Sequence, residues 1–137
     1  MRHVLVVEDE LPLRRILTLN LARRGYTVAE AGSVAEAQEA IVASGLTFDL
    51  ILLDINLPDQ TGWDLLRFLQ ARAGAAMQQD TLPKVIVITA VRPPQCRLEE
   101  FYPAAVLLKP FPISALLRLV ERVFEQLPAG DRLARLS

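Results

Sequence analysis

Phe48-Asp49-Leu50-Ile51-Leu52-Leu53-Asp54 constrains this chain more than any other stretch. Four consecutive aliphatic residues end abruptly in a carboxylate, and the turn-forming residues Asn56, Pro58, Asp59 and Gly62 follow. A short apolar run closed by turn signals fits a strand buried on both faces, as in parallel sheets covered by helices. Asp54 then stands at the carboxyl end of a central strand, where open α/β sheets place their ligands.

The rest of the sequence alternates in the same way. Residues 3–7, 26–31, 83–89 and 105–108 read as four more short strands. Helical spacing lies between them. Leu13, Ile16, Leu17 and Leu21 form an apolar stripe that ends at Gly25, with Asn20 unexplained beside it. Ser33-Val34-Ala35-Glu36 matches a capping box, and Val34, Ala37, Ala40 and Ile41 give its helix an inward face up to Gly45. Residues 62–71 predict a third helix with Leu65, Leu66 and Leu69 inward. Residues 74–82 read as a frayed end and loop, a short insertion. Pro93-Pro94 leaves room for only a short helix from about Gln95. Residues 112–127 predict the last helix, with Leu116, Leu117, Val120, Val123, Phe124 and Leu127 on one side.

Strand–helix alternation implies right-handed crossovers and a parallel sheet. The expectation is an α/β, doubly wound, five-stranded parallel sheet of order 2-1-3-4-5. Helices cover both faces, and helix 4 is short or irregular. One domain spans residues 1–127, and 128–137 read as a tail or linker. At 137 residues and 52% hydrophobic, the chain can bury a core without staples. A net charge of -1 gives no general attraction to nucleic acid or anionic membrane. The single cysteine, Cys96, excludes an internal disulfide and a cysteine metal cluster. There is no 18-residue apolar stretch, and acids come too early for a signal peptide. Cytoplasmic residence is the default expectation.

Polar residues stand where the buried strands end. Glu8 and Asp9 follow strand 1, Asp54 follows strand 3, Thr89 closes strand 4 and Lys109 follows strand 5. All these ends share one edge, and strands 1 and 3 are neighbours, so Glu8, Asp9 and Asp54 should converge. Crowded carboxylates raise one another's pKa, and a hard divalent cation such as Mg²⁺ relieves that. No His or Cys joins the group, which argues against zinc. Thr89 can donate a hydrogen bond and Lys109 brings positive charge, so the site suits a phosphoryl group on Asp54. A carboxylate is a competent nucleophile for such a transfer.

Glu8-Asp9, Asp54, Thr89-Ala90 and Lys109-Pro110-Phe111, with Asp54-x-x-x-Pro58-x-x-x-Gly62, resemble the receiver domains of two-component response regulators. The resemblance covers about residues 2–127. It implies that Asp54 takes a phosphoryl group from a histidine kinase or histidine phosphotransfer protein. It also implies that Asp9, Asp54 and the Asn56 backbone carbonyl bind Mg²⁺, with Glu8 acting through a metal-bound water. Lys109 would contact the phosphoryl group, and Lys109-Pro110 would be a cis peptide. Thr89 would move inward on phosphorylation and reshape the strand 4–helix 5 face. Asn56 and Val91 hold positions that tune phosphoryl lifetime in the family. The resemblance leaves the output partner open and allows a homodimer.

The sequence also departs from that family. The switch position three residues before Lys109 carries Val106 where Tyr or Phe is common. Tyr102-Pro103-Ala104-Ala105 replaces the usual Gly-Ala pair before strand 5. Signalling is therefore expected to rely on altered surface contacts or dimerisation more than on a rotating ring. A receiver-like module that works without phosphorylation is the alternative. A haloacid-dehalogenase-like phosphatase fits less well, because it wants an acid where Asn56 stands, and a flavodoxin phosphate cradle is contradicted by Glu8-Asp9. His3 and Cys96 read as surface or filler residues, and Trp63 reads as packing near the site. Arg14, Arg15, Arg23 and Arg24 read as a solvated helix face, with the first two open to kinase docking. Arg118, Arg122, Arg132 and Arg135 are too sparse for a nucleic-acid surface.

Overall fold

The computed structural model describes residues 2–44, 48–76 and 82–126, except for the side chains of 73–76. The elements run β1 His3–Val7, α1 Leu11–Arg23, β2 Thr27–Ala31, α2 Val34–Ser44 and β3 Leu50–Asp54. They continue with α3 Gly62–Ala76, β4 Lys84–Thr89, α4 Gln95–Phe101, β5 Ala105–Leu108 and α5 Ile113–Glu125. One sheet has the order β2-β1-β3-β4-β5, with every pair parallel.

Alternation along the strands splits the core into two layers. Leu5, Val7, Ile51, Leu53, Val85 and Val87 face α2 and α3. Val4, Val6, Leu50, Leu52, Ile86 and Ile88 face α1 and α5. This is why β1, β3 and β4 read as unbroken aliphatic runs: each needs apolar residues on both faces. The edge strand β5 has no buried residue, and neither does α4. Phe101, at the end of α4, nevertheless packs against the α3 layer.

Three helices differ from expectation. Ile16 is 46% exposed, so the inward face of α1 is carried by Leu17 and Leu21. Asn20, unexplained from sequence, donates from Nδ2 to the Ile16 carbonyl at 2.8 Å. α3 runs past Ala71 to Ala76, because the alanines around Gly74 are strong helix formers. The remainder of the expected insertion, residues 77–81, lies outside the described residues, as do Gly45 and Leu127. The capping box forms only in part. Ser33 Oγ accepts from the Glu36 N–H, but the Glu36 carboxylate accepts from Gly32 and not from Ser33.

Candidate functional site

Val7, the last residue of β1, pairs with Leu53, one residue before the end of β3. The next residues, Glu8 and Asp54, therefore sit side by side, and both are buried. Leu50 to Leu53 are fully buried, so the backbone carrying Asp54 is held on both faces. Lys109 follows β5, where its N–H donates to the Thr89 carbonyl at 2.8 Å. Its ammonium reaches back over the sheet edge to Asp54 Oδ2 at 2.9 Å and Glu8 Oε1 at 3.0 Å. Glu10 Oε1 lies 3.8 Å away. The Lys109-Pro110 peptide is cis.

The second oxygen of each buried acid is also engaged. Asp54 Oδ1 accepts from the Asn56 N–H at 3.0 Å. Glu8 Oε2 accepts from the Glu10 N–H at 3.2 Å. Asp9 is exposed, and it offers a carboxylate oxygen within 4.8 Å of those of Glu8 and Asp54. The site thus has two fixed acids inside and one acid open to water.

Burial pushes the Glu8 carboxyl up from 4.5 to about 7, and the adjoining Asp54 adds to the rise against the opposing pull of Lys109. Burial alone lowers the Lys109 pKa, but Asp54 and Glu8 outweigh it and hold the ammonium above its usual range. One lysine thus leaves three carboxylates under-compensated. The donors are all hard oxygens, and among the described residues no His or Cys joins the group. Such a donor set suits Mg²⁺ and not zinc.

The structure brings Glu8, Asp9, Asp54 and Lys109 together. Thr89 is buried at the same edge, but its hydroxyl donates to the Val91 carbonyl at 2.9 Å and accepts from the Val91 N–H. Val106 is half-buried in β5 opposite Val87 and packs on the α3 layer. Trp63 is buried and stacks on Phe101 with ring centres 5.5 Å apart. Gly62 is required where the chain turns under the site: a Cβ there would lie 2.8 Å from the Asp54 carbonyl oxygen.

Two contributors escape sequence reasoning. Arg14 is not on a solvated face; its guanidinium lies between Glu30 and the Glu8 carbonyl. Asp59 caps α2 from another loop, accepting from the Val34 and Ala35 N–H groups at 3.0 Å each. Those bonds hold its pKa below the usual carboxylate value. No local spacing signals either contact: Asp59 reaches α2 from another loop, and Arg14 bridges the Glu8 carbonyl across the β1–α1 turn to Glu30 in β2.

Residues 4–121 match the family model described as the response regulator receiver domain. The chain belongs to the response regulator receiver family. The chain is 30% identical over 125 residues to the probable transcriptional regulatory protein SilR of Salmonella typhimurium, covering 90% of this chain and 51% of SilR. It is 32% identical over 136 residues to protein PetR of Rhodobacter capsulatus, covering 95% of this chain and 53% of PetR. The receiver chain thus spans about half the length of these curated relatives. Among solved structures, the non-phosphorylated HemR receiver domain of Leptospira biflexa superposes with TM-score 0.76 at 30% identity. That match covers 90% of this chain and 94% of the HemR chain. TrrA of Thermotoga maritima, solved in complex with Mg²⁺ and BeF, gives TM-score 0.73 at 25% identity, over 90% and 99% of the two chains.

Proposed function

We propose that this receiver is a phosphorylation-controlled signalling switch in which Asp54 accepts a phosphoryl group. The donor is a phosphohistidine on a histidine kinase or histidine phosphotransfer protein. The observation that carries this reading is the Lys109 ammonium bonded at once to buried Asp54 and buried Glu8. A lone structural lysine has no need of two buried acids, and the pair of acids has no need of Asp9 beside them.

An Asp54 carboxylate oxygen attacks phosphorus, a P–O bond forms, and the P–N bond to the donor imidazole breaks with its electron pair on nitrogen. Lys109 stays within reach of the new phosphoryl oxygens, and Asn56 N–H orients the carboxylate from the other side. Asp9, Asp54 and the Asn56 backbone carbonyl would hold Mg²⁺, with Glu8 contributing indirectly through water, and the bound ion would supply charge neutralisation at those oxygens. Thr89 gives up its Val91 contact to meet the phosphoryl group. With Val106 in place of a ring, read-out passes to α4. Gly62 N–H bonds the Ile55 carbonyl just after Asp54, the next residue is Trp63, and Trp63 stacks on Phe101. Residues 1–127 form the receiver in this reading, and 128–137 are the tail or linker.

Acetyl phosphate with Mg²⁺, followed by intact-mass measurement, tests the reading. One phosphoryl adduct is expected, absent in Asp54→Asn and without Mg²⁺. An adduct retained in Asp54→Asn contradicts it. No adduct in the native protein favours the phosphorylation-independent module, which Val106 and the shallow packing of α4 would suit.

A further inference from the structure

We propose that Arg14 is a positioning residue for the acid pair Glu8-Asp9, acting through the peptide unit that joins them. This rests on the reading of Asp9 and Asp54 as Mg²⁺ ligands.

The carbonyl of Glu8 and the N–H of Asp9 belong to one rigid plane. Arg14 Nη1 donates to that carbonyl at 3.0 Å. The guanidinium is itself held by Glu30, whose Oε1 lies 3.0 Å from Nε. Glu30 is in β2 and Arg14 is in α1, so the contact ties the β1–α1 turn to a sheet strand. On the other side, the Glu8 N–H donates to the Ala31 carbonyl at 3.0 Å. Glu8 is therefore fixed at its N–H, at its carbonyl and at both side-chain oxygens. Asp9, exposed at the turn, takes its direction from that peptide plane.

The room for Arg14 is also built in. A Cβ on Gly32 would stand 2.7 Å from Arg14 Nη1. That is too close for any side chain without moving the guanidinium, so Gly32 keeps the slot open. The fork geometry matters too: one planar group meets two acceptors on different elements, which an ammonium does not reproduce. Arg14 never touches the phosphoryl position in this scheme. It sets where Asp9 points.

Partners that orient metal ligands from outside the coordination sphere are worth about 10- to 100-fold in metal affinity when removed. Calorimetric titration of Mg²⁺ into the native protein, Arg14→Met, Arg14→Lys, Gly32→Ala and Asp9→Asn tests the assignment. Thermal midpoints are measured in chelator alongside. The expected result is a Mg²⁺ affinity about 10-fold weaker in Arg14→Met. A smaller loss is expected in Arg14→Lys and in Gly32→Ala, which keeps the arginine but crowds it. A purely structural Arg14 would lower the chelated midpoint and leave the affinity of the folded protein unchanged, and that outcome overturns the proposal. Native-like affinity in both Arg14→Met and Gly32→Ala overturns it as well. If the native protein binds no Mg²⁺, or Asp9→Asn binds as well as native, the metal-site reading fails first and this proposal falls with it.

Discussion

The acid pocket and the β4–α4–β5 edge lie next to each other and are built on opposite plans. The pocket stands on β1 and β3, whose aliphatic residues are almost fully buried. Its charged groups are cross-linked over a hundred residues of sequence, from Glu8 to Lys109. The neighbouring edge has no buried residue in α4 or β5. β5 is bonded to β4 along a parallel ladder, whereas α4 is held to α3 by one aromatic stack, Trp63 on Phe101, by the Gln70 Nε2 bond to the Glu100 carbonyl and by the exposed Arg67–Glu100 ion pair. Exposed pairs contribute little, about 0–1 kcal/mol each. A rigid site therefore adjoins a weakly anchored element, which is where a small stabilising change can shift a population.

The contrast is broken most severely at Lys109. Lys109→Met removes the one cation shared by Asp54 and Glu8. Phosphoryl uptake from acetyl phosphate should slow by about 100-fold or more, the scale for losing a preorganised charge-stabilising donor. Uptake near the native rate would show that Lys109 only neutralises buried acids.

The packing difference predicts unequal costs on the two sides. Leu52→Ala, in the fully buried centre of β3, should destabilise by about 3–4 kcal/mol in urea unfolding. Phe101→Ala should cost only about 1–2 kcal/mol, mostly the stack with Trp63 and the Arg67 guanidinium 5.5 Å from the ring. Equal costs would mean that α4 belongs to the main core.

The pocket's own strain shows as a modest pH effect. Glu8 is raised from 4.5 to about 7 in the folded chain. Between those values the folded protein binds more protons than the unfolded one, so this group's contribution to stability falls as pH rises. In chelator, Glu8→Gln should flatten the pH dependence of the urea midpoint across that window. An unchanged slope would assign the effect to another group.

Most of the frame was legible because parallel strands must be apolar on both faces. The short aliphatic runs ending at Val7, Leu53, Thr89 and Leu108 gave strand positions to within a residue or two, and strand order placed Glu8, Asp54 and Lys109 on one edge. The boundary of α3 was less legible, since alanine and glycine near its end serve helix or loop equally well. Ile16 was misplaced because a periodic stripe does not say which of its members lies at the margin. Arg14 and Asp59 were invisible for a different reason. Asp59 bonds to backbone groups of a distant segment, and Arg14 to a nearby backbone carbonyl and to a side chain on another strand; backbone partners leave no residue-type signal. Trp63 and Phe101 were each readable as packing residues, but their mutual stack depends on how α4 lies against α3.

Amide hydrogen exchange with and without Mg²⁺ and beryllofluoride tests the central claim most directly: a fixed pocket drives a loosely held α4 and the edge strand β5 beside it. Exchange should change in residues 95–108 and around Trp63, while β1 and β3 stay equally protected in both states. A beryllofluoride-bound protein with unchanged exchange in α4 and β5, or with the change centred on β1 and β3, would contradict it.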